Sequence, residues 1–128
     1  MSTFLNMMSP ATTEAGLGKR LGHLRGLDPL VCVPEYAKVS DDIARSPRFS
    51  RALTRARALA DERRLMAAAI LRRRPELCAC EIQAALGVTH ATVSHHMRIL
   101  EDAGIVTAER RGKWMYYRLN EKAEVGIP

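Results

Sequence analysis

The chain has 128 residues, with 20 Lys+Arg against 14 Asp+Glu for a net +6: room for one domain and an arm, and too little for two full domains. Hydrophobic residues make up 47% but aromatics only 5%, so the core must be built from Ala, Leu, Ile, Val and Met, a composition that favours helices. No stretch approaches the roughly 18 consecutive apolar residues of a membrane span, and MSTFLNMMSP lacks the basic and apolar regions of a secretory signal; a cytoplasmic protein without membrane contact is expected, its three cysteines kept as thiols and fit to be ligands or redox groups.

Charge is unevenly placed. Residues 1–44 carry four basic and five acidic side chains, and residues 76–128 carry six and seven, whereas residues 45–75 hold ten arginines against Asp61 and Glu62. That local excess is the electrostatic footprint of a polyanion binder, although any single arginine on an amphipathic helix is as often part of a solvated face.

In chain order, residues 1–34 scatter Gly16, Gly18, Gly22, Gly26, Pro10, Pro29 and Pro34 too closely for an ordinary helix, which predicts a mobile arm over residues 1–44. Within it Leu30 to Val33 form a short apolar run, with Val33 held extended by Pro34. After Pro47, the spacing of Phe49, Ala52, Leu53, Ala56 and Leu59 predicts an amphipathic helix. Asp61 reads as the N-cap of a second helix that turns Leu65, Ala69 and Ile70 inward and stops before Pro75. A third helix is predicted from about Leu77 to Leu86, with Ile82, Ala85 and Leu86 on its inner side and Gly87 at its C′ position. Thr89 caps the next helix, which buries Val93, Met97 and Leu100 and ends at Gly104.

Only Leu86, Gly87 and Val88 separate the last two helices, the spacing of a helix-turn-helix. Beyond it, Ile105 to Glu109 and Trp114 to Leu119 are β-prone runs around Arg110, Arg111, Gly112 and Lys113, a hairpin with a basic tip. The fold class is therefore mostly α: a winged helix-turn-helix over residues 45–120, with a two-stranded β-hairpin as wing, a flexible N-terminal arm before it and a short C-terminal tail over residues 121–128.

In such a fold the N-terminal half of the second helix reaches base edges in the major groove. Those positions are His90, Ala91, Thr92, Ser94 and His95; Thr89 and Thr92 hydroxyls with helix-start amides suit phosphate, and Arg98 lies one turn past Ser94 toward the backbone. Arg110, Arg111 and Lys113 at the wing tip suit phosphate or an adjacent minor groove. His96 sits nearer the apolar stripe and reads as a packing residue, and Trp114, Tyr116 and Tyr117 read as packing the hairpin. No nucleophile beside a base, Gly-rich phosphate loop or open metal motif appears, so an enzyme is not expected.

The second chemical signal is ELCACEI, which puts Cys78 and Cys80 two apart at the start of the third predicted helix. Residues i and i+2 on a helix point about 200° apart, so gripping one ion requires its first turn to rearrange, and binding would distort the helix that supports the recognition helix. Taken alone the pair reads more readily as two buried structural thiols, and two sulfurs leave a soft ion under-coordinated; Cys32 is the remaining thiol.

The segments ALADERRLMAAAIL, ELCACEIQAALGVTHATVSHHMRILEDAGIV and RRGKWMYYRL, between Ala58 and Leu119, resemble the ArsR/SmtB family of metal-responsive repressors. ELCACEI is similar to the thiolate box of its arsenic and cadmium/lead sensors, and SHHMRILEDAGIV to its recognition helix and exit. The resemblance implies a homodimeric winged-helix repressor that binds an inverted-repeat operator and leaves it when As(III)/Sb(III) or Cd(II)/Pb(II) engages Cys78 and Cys80. Some arsenic sensors carry a third cysteine three residues after the second; Gln83 stands there, and cadmium/lead sensors draw extra cysteines from an N-terminal arm, as Cys32 would. Family members usually continue into a dimerisation helix where zinc or nickel sensors place Asp and His. No His follows the wing here, which argues against a zinc sensor of that type and moves the expected dimer contact to the helix of Phe49 to Leu59. Two other readings are a thiol redox sensor on the same fold and a winged helix that binds a protein partner.

Overall fold

A computed structural model describes Arg20, Gly26 and Pro29 to Pro128, with continuous side-chain detail from Val33. Of the expected mobile arm over residues 1–44, residues 1–28 other than Arg20 and Gly26 lie outside the described residues, as does the Cys32 thiol, and the rest is helical. Leu30 to Val33 are helical and not extended: they belong to α1, Pro29–Arg45, which runs through Pro34. Pro34 is the sixth residue of this helix, beyond the first-turn amides that lack helical partners, so it removes one i→i−4 hydrogen bond, the one to the Leu30 carbonyl. Asp41 and Arg45 pair at 2.8 Å one turn apart on this helix.

Helix α2, Pro47–Leu59, starts where its chemistry says it should. Ser46 Oγ accepts the Arg48 amide at 3.2 Å, and Pro47 opens the first turn at no cost in hydrogen bonds. The stripe Ala52, Leu53 and Ala56 is exposed, and Ala58 is the buried residue of this helix. Helix α3, Glu62–Arg73, is capped by Asp61, which accepts the Arg63 and Arg64 amides at 2.9 and 3.1 Å. Its inward face is Ala67, Ala68 and Leu71; Leu65, Ala69 and Ile70, expected there, are half-buried at its sides. The periodicity shifts by a residue or two because three consecutive alanines leave more than one apolar face available.

The largest departure falls at Leu77. Leu77–Cys78 is a short strand, β1, and the helix after it, α4, is Ala79–Leu86. Cys78 is thus the extended N-cap residue and not part of a helical turn. Ala79 and Ile82 are buried, whereas Ala85, expected inside, is exposed. Gly87 closes α4 at φ 65°, a left-handed conformation that any side chain would strain. Helix α5, His90–Asp102, is capped by Thr89, which accepts the Thr92 amide at 3.2 Å, and buries Val93, Met97 and Leu100 together with His96.

Strands β2, Val106–Arg111, and β3, Trp114–Leu119, form the wing around a two-residue turn at Gly112 and Lys113. The sheet has three strands in the order β1-β3-β2, all antiparallel. The third strand was not legible as one, since two residues give no alternation to read. Leu77 opposes Tyr117 and Tyr117 opposes Ala108, so these three line the inner face; Cys78, Tyr116 and Glu109, one residue away in each strand, share the outer one. The core joins Ala58, Ala67, Ala68, Leu71, Ile82, Val93, Met97, Leu100, Ile105 and Val106.

Residues 121–128 pack back on this core. After a 3₁₀ turn at Glu121–Ala123, Ala123 and Ile127 are buried. Arg55 of α2 donates to the carbonyls of Ala123 and Val125, and Arg72 of α3 to that of Ile127.

Candidate nucleic-acid interface and thiol site

The residues expected to read DNA lie where a groove could meet them. His90, Ala91, Ser94, His95 and Arg98 are exposed on α5, and their three- and four-residue spacing puts them on one face opposite the buried stripe. Thr89 and Thr92 are partly committed: their hydroxyls hydrogen-bond at 2.8 Å while Thr89 caps the helix. The outward face thus carries two imidazoles, a hydroxyl and a guanidinium at a helix N-terminal half, groups that can pair with base edges and phosphates.

His96 is 7% exposed, as the packing reading expects. Its Nδ1 lies 3.3 Å from Arg64 Nη1. A guanidinium can only donate, so Nδ1 accepts and the ring is neutral. Burial pushes the His96 pKa down, partly opposed by the Asp61 carboxylate. Arg64 Nε also donates to the Ala58 carbonyl at 2.6 Å, so this arginine joins the end of α2, the cap of α3 and the recognition helix.

At the wing, Arg110 and Lys113 are exposed. Arg111, expected beside them as a phosphate ligand, is already paired: it donates to Glu76 Oε1 and Oε2 at 2.6 and 2.7 Å and to Glu109 Oε2 at 2.9 Å. Its guanidinium also lies 4.5 Å from the centre of the Tyr116 ring. Arg118 Nε donates to Glu76 Oε2 at 2.7 Å, and the two arginines hold the Glu76 carboxyl down at about 2. Tyr117 is buried in the hairpin as expected, but Trp114 is 47% exposed, on the outer face with Lys113 Nζ 5.6 Å over its ring. Glu76 and Arg118 escaped the sequence reading. The signal was there in the two-residue alternation of Glu109 with Arg111 and of Tyr116 with Arg118, which puts all four on one face, but no spacing rule points from Glu76 to them.

Cys78 is half-buried and Cys80 exposed, both as free thiols. Glu81 Oε1 accepts the Cys78 amide at 2.9 Å. That bond, and a second from the Cys78 thiol, keep the Glu81 carboxyl below its ordinary range. Among the described residues no group of three or more His, Cys, Asp or Glu is arranged to hold a metal. The donor set is two soft sulfurs, one on the sheet's outer face and one in the first turn of α4. Two soft sulfurs suit a thiophilic ion, and by themselves do not complete a tetrahedral zinc site.

Helices α3, α4 and α5 around one core, with a basic hairpin after them, define a winged helix-turn-helix. Residues 61–108 match the family model described as bacterial regulatory protein, arsR family. The chain is 38% identical over 71 residues to the arsenical resistance operon repressor of Bacillus subtilis, a match covering 56% of this chain and 68% of that protein. It is 36% identical over 66 residues to a cadmium resistance transcriptional regulatory protein, CadC homolog, of Staphylococcus aureus, covering 52% and 54%. A solved structure of a homodimeric winged helix-turn-helix DNA-binding domain from Mycobacterium bovis, a possible ArsR-family regulator, superimposes with a TM-score of 0.55 at 30% identity, covering 62% of this chain and 77% of that one. The chain thus spans between about half and two thirds of the length of these two relatives. It belongs to the ArsR family of winged-helix transcriptional regulators. No helix among the described residues is long and apolar enough to cross a membrane.

Proposed function

We propose that this protein is a homodimeric repressor that binds an inverted-repeat operator and releases it when As(III), Sb(III), Cd(II) or Pb(II) binds at Cys78 and Cys80. The observation that carries this reading is the position of Cys78: it is at once the last residue of β1 and the N-cap of α4, the helix that precedes the recognition helix by a three-residue turn. Relatives named for arsenic and cadmium resistance support the choice of ion class. So does softness, since paired thiolates favour such ions over harder ones.

DNA binding rests on the exposed face of α5, with His90, Ala91, Ser94 and His95 at base edges, Thr89, Thr92 and Arg98 toward phosphate, and Arg110 and Lys113 from the wing. Arg111, paired with Glu76 and Glu109, ties the wing to the segment before β1 rather than adding a free charge. Release follows from local chemistry at the cap. A Cys78 thiolate can no longer donate to Glu81, so ion binding removes one of the contacts that hold the start of α4, which then reorganises. If operator binding needs α4 regular and ion binding needs it opened, the two favour different states and oppose each other reciprocally. A third sulfur from Cys32 would complete a pyramidal set for a trivalent metalloid.

The dimer is supported by the exposed stripe of Ala52, Leu53 and Ala56 on α2 and by the homodimeric state of the Mycobacterium structure. The test is fluorescence anisotropy of the purified protein on DNA flanking its own gene, with arsenite, antimonite, cadmium, lead and zinc in turn. Release by the first four at low concentration, with zinc much weaker, is the expected outcome; equal release by zinc, or by none, would overturn the reading.

A further inference from the structure

Glu76 stands two residues before Cys78, and the geometry around it has no part in the DNA-reading surface. Its carboxylate takes two hydrogen bonds from Arg111 at the end of β2 and one from Arg118 on β3, at 2.6, 2.7 and 2.7 Å, and so fastens both wing strands to the start of β1. The Arg111 guanidinium covers the ring of Tyr116, and Tyr116 is the residue directly opposite Cys78 in the β1-β3 pairing. Glu76 and Cys78, two apart on an extended segment, share the sheet's outer face. Cys78, Tyr116, Arg111 and Glu76 therefore form a closed loop of contacts: strand pairing, ring stacking, a bidentate ion pair, and the chain itself back to Cys78. Bidentate guanidinium pairs fix orientation as well as proximity.

We infer that Glu76 is a positioning residue that couples the Cys78 thiol to the wing, so that displacing Cys78 from β1 moves the hairpin carrying Arg110, Lys113 and Trp114. This inference rests on the proposed thiolate site but adds a second route from it, through the sheet and not through α4. The physical ground is rigidity. Two residues of strand pairing alone would let β1 peel away while the wing stayed in place, whereas a carboxylate shared by two arginines makes β1, β2 and β3 move as one unit. Where Glu76 is replaced by Gln and the shared ion pair is lost, β1 can yield to the ion without disturbing the wing.

The test uses the chain's one tryptophan. Trp114 lies in the wing, exposed beside Lys113, so its emission reports the wing directly. The full-length protein and its Glu76→Gln variant, which keeps the shape and removes the charge, are titrated with cadmium. Sulfur-to-metal ultraviolet absorbance is followed for occupancy, Trp114 emission for the wing, and operator anisotropy for release. In the parent protein absorbance and emission are expected to change together. In Glu76→Gln the absorbance should saturate at the same cadmium concentration, the emission change should largely vanish, and the loss of operator affinity should shrink from about 100-fold to about 10-fold or less. Arg118→Gln, which leaves the Arg111 pair in place, should fall between the two and guards against a folding defect in the first variant. Unchanged emission and release in Glu76→Gln, or saturating absorbance without any emission change in the parent, would overturn the coupling. Absence of sulfur-to-metal absorbance in the parent is a different failure, that of the thiolate site, and would remove the coupling with it.

Discussion

Replacing Ile127 by Ala tests whether residues 121–128 belong to the domain or merely follow it. Ile127 is 2% exposed and joins the same cluster as Leu71, Val93 and Leu100. Truncating a buried Ile to Ala costs about 2–5 kcal/mol, the lower values applying where the site can collapse. The segment lies in a turn, tied by the Ile127 amide to Glu124 and by Arg55 and Arg72 to its carbonyls. It can shift inward, so about 2–3 kcal/mol is expected. A domain of roughly 80 residues has about 4–12 kcal/mol in all, and each kcal/mol moves its midpoint by about 4–8 °C. Thermal unfolding followed by circular dichroism at fixed protein concentration should therefore fall by about 10–20 °C, and Ile127→Val by only a few degrees. A drop below about 3 °C for the alanine variant would show that the packing contributes little and that residues 121–128 are a tail in the plain sense.

His95→Ala should relax base preference at one or two operator positions, since its imidazole is exposed on the recognition face, whereas Lys113→Gln should weaken all sequences alike and reduce the salt slope by about one; competition with mutated operators distinguishes them, and unchanged preference in His95→Ala would contradict the helix assignment. Arg111→Gln is not expected to resemble Lys113→Gln, because its charge is already paired with Glu76. His96 is held neutral, with its folded pKa below the unfolded value of about 6.5, so the unfolded state takes up the proton first. Its stabilising effect is complete above that value and is lost as pH falls through the window beneath it. Chemical denaturation between pH 7.5 and 5 should show a steeper loss for the parent than for His96→Gln; parallel curves would refute the neutral assignment. Leu53, 38% exposed on α2, is expected at the dimer contact. Leu53→Asp should sediment as a monomer that binds DNA poorly, and an intact dimer would move the interface elsewhere.

Capping chemistry was the most legible part of the chain. Asp61, Gly87 and Thr89 sit at the helix ends assigned to them, because each satisfies a terminal amide or supplies a left-handed turn by means local to the sequence. The buried stripe of α5 was equally plain, as Val93, Met97 and Leu100 offer a single apolar face. Illegible elements were those decided by distant partners. Leu77 and Cys78 read as the start of a helix because their apolar and thiol side chains suit one. Their extended form comes from pairing with Tyr116 and Tyr117, some forty residues on, and no local signal encodes that. The same holds for arginines: composition showed ten between residues 45 and 75, but not that Arg55, Arg64 and Arg72 cap carbonyls of the fold while others remain on the surface. At the candidate site the thiols and the recognition face were visible as motifs. Glu76 was not, since its meaning lies in which two strands its carboxylate reaches.

The central claim is that soft ions act through Cys78 and Cys80, and operator affinity of the Cys78→Ser/Cys80→Ser double variant measures it most directly. Serine keeps the size and the capping ability of the thiol while removing its affinity for soft ions. The account predicts that this variant binds the operator as tightly as the parent and stays bound at arsenite or cadmium concentrations that weaken the parent about 100-fold. Release of the double variant at those same concentrations would contradict it.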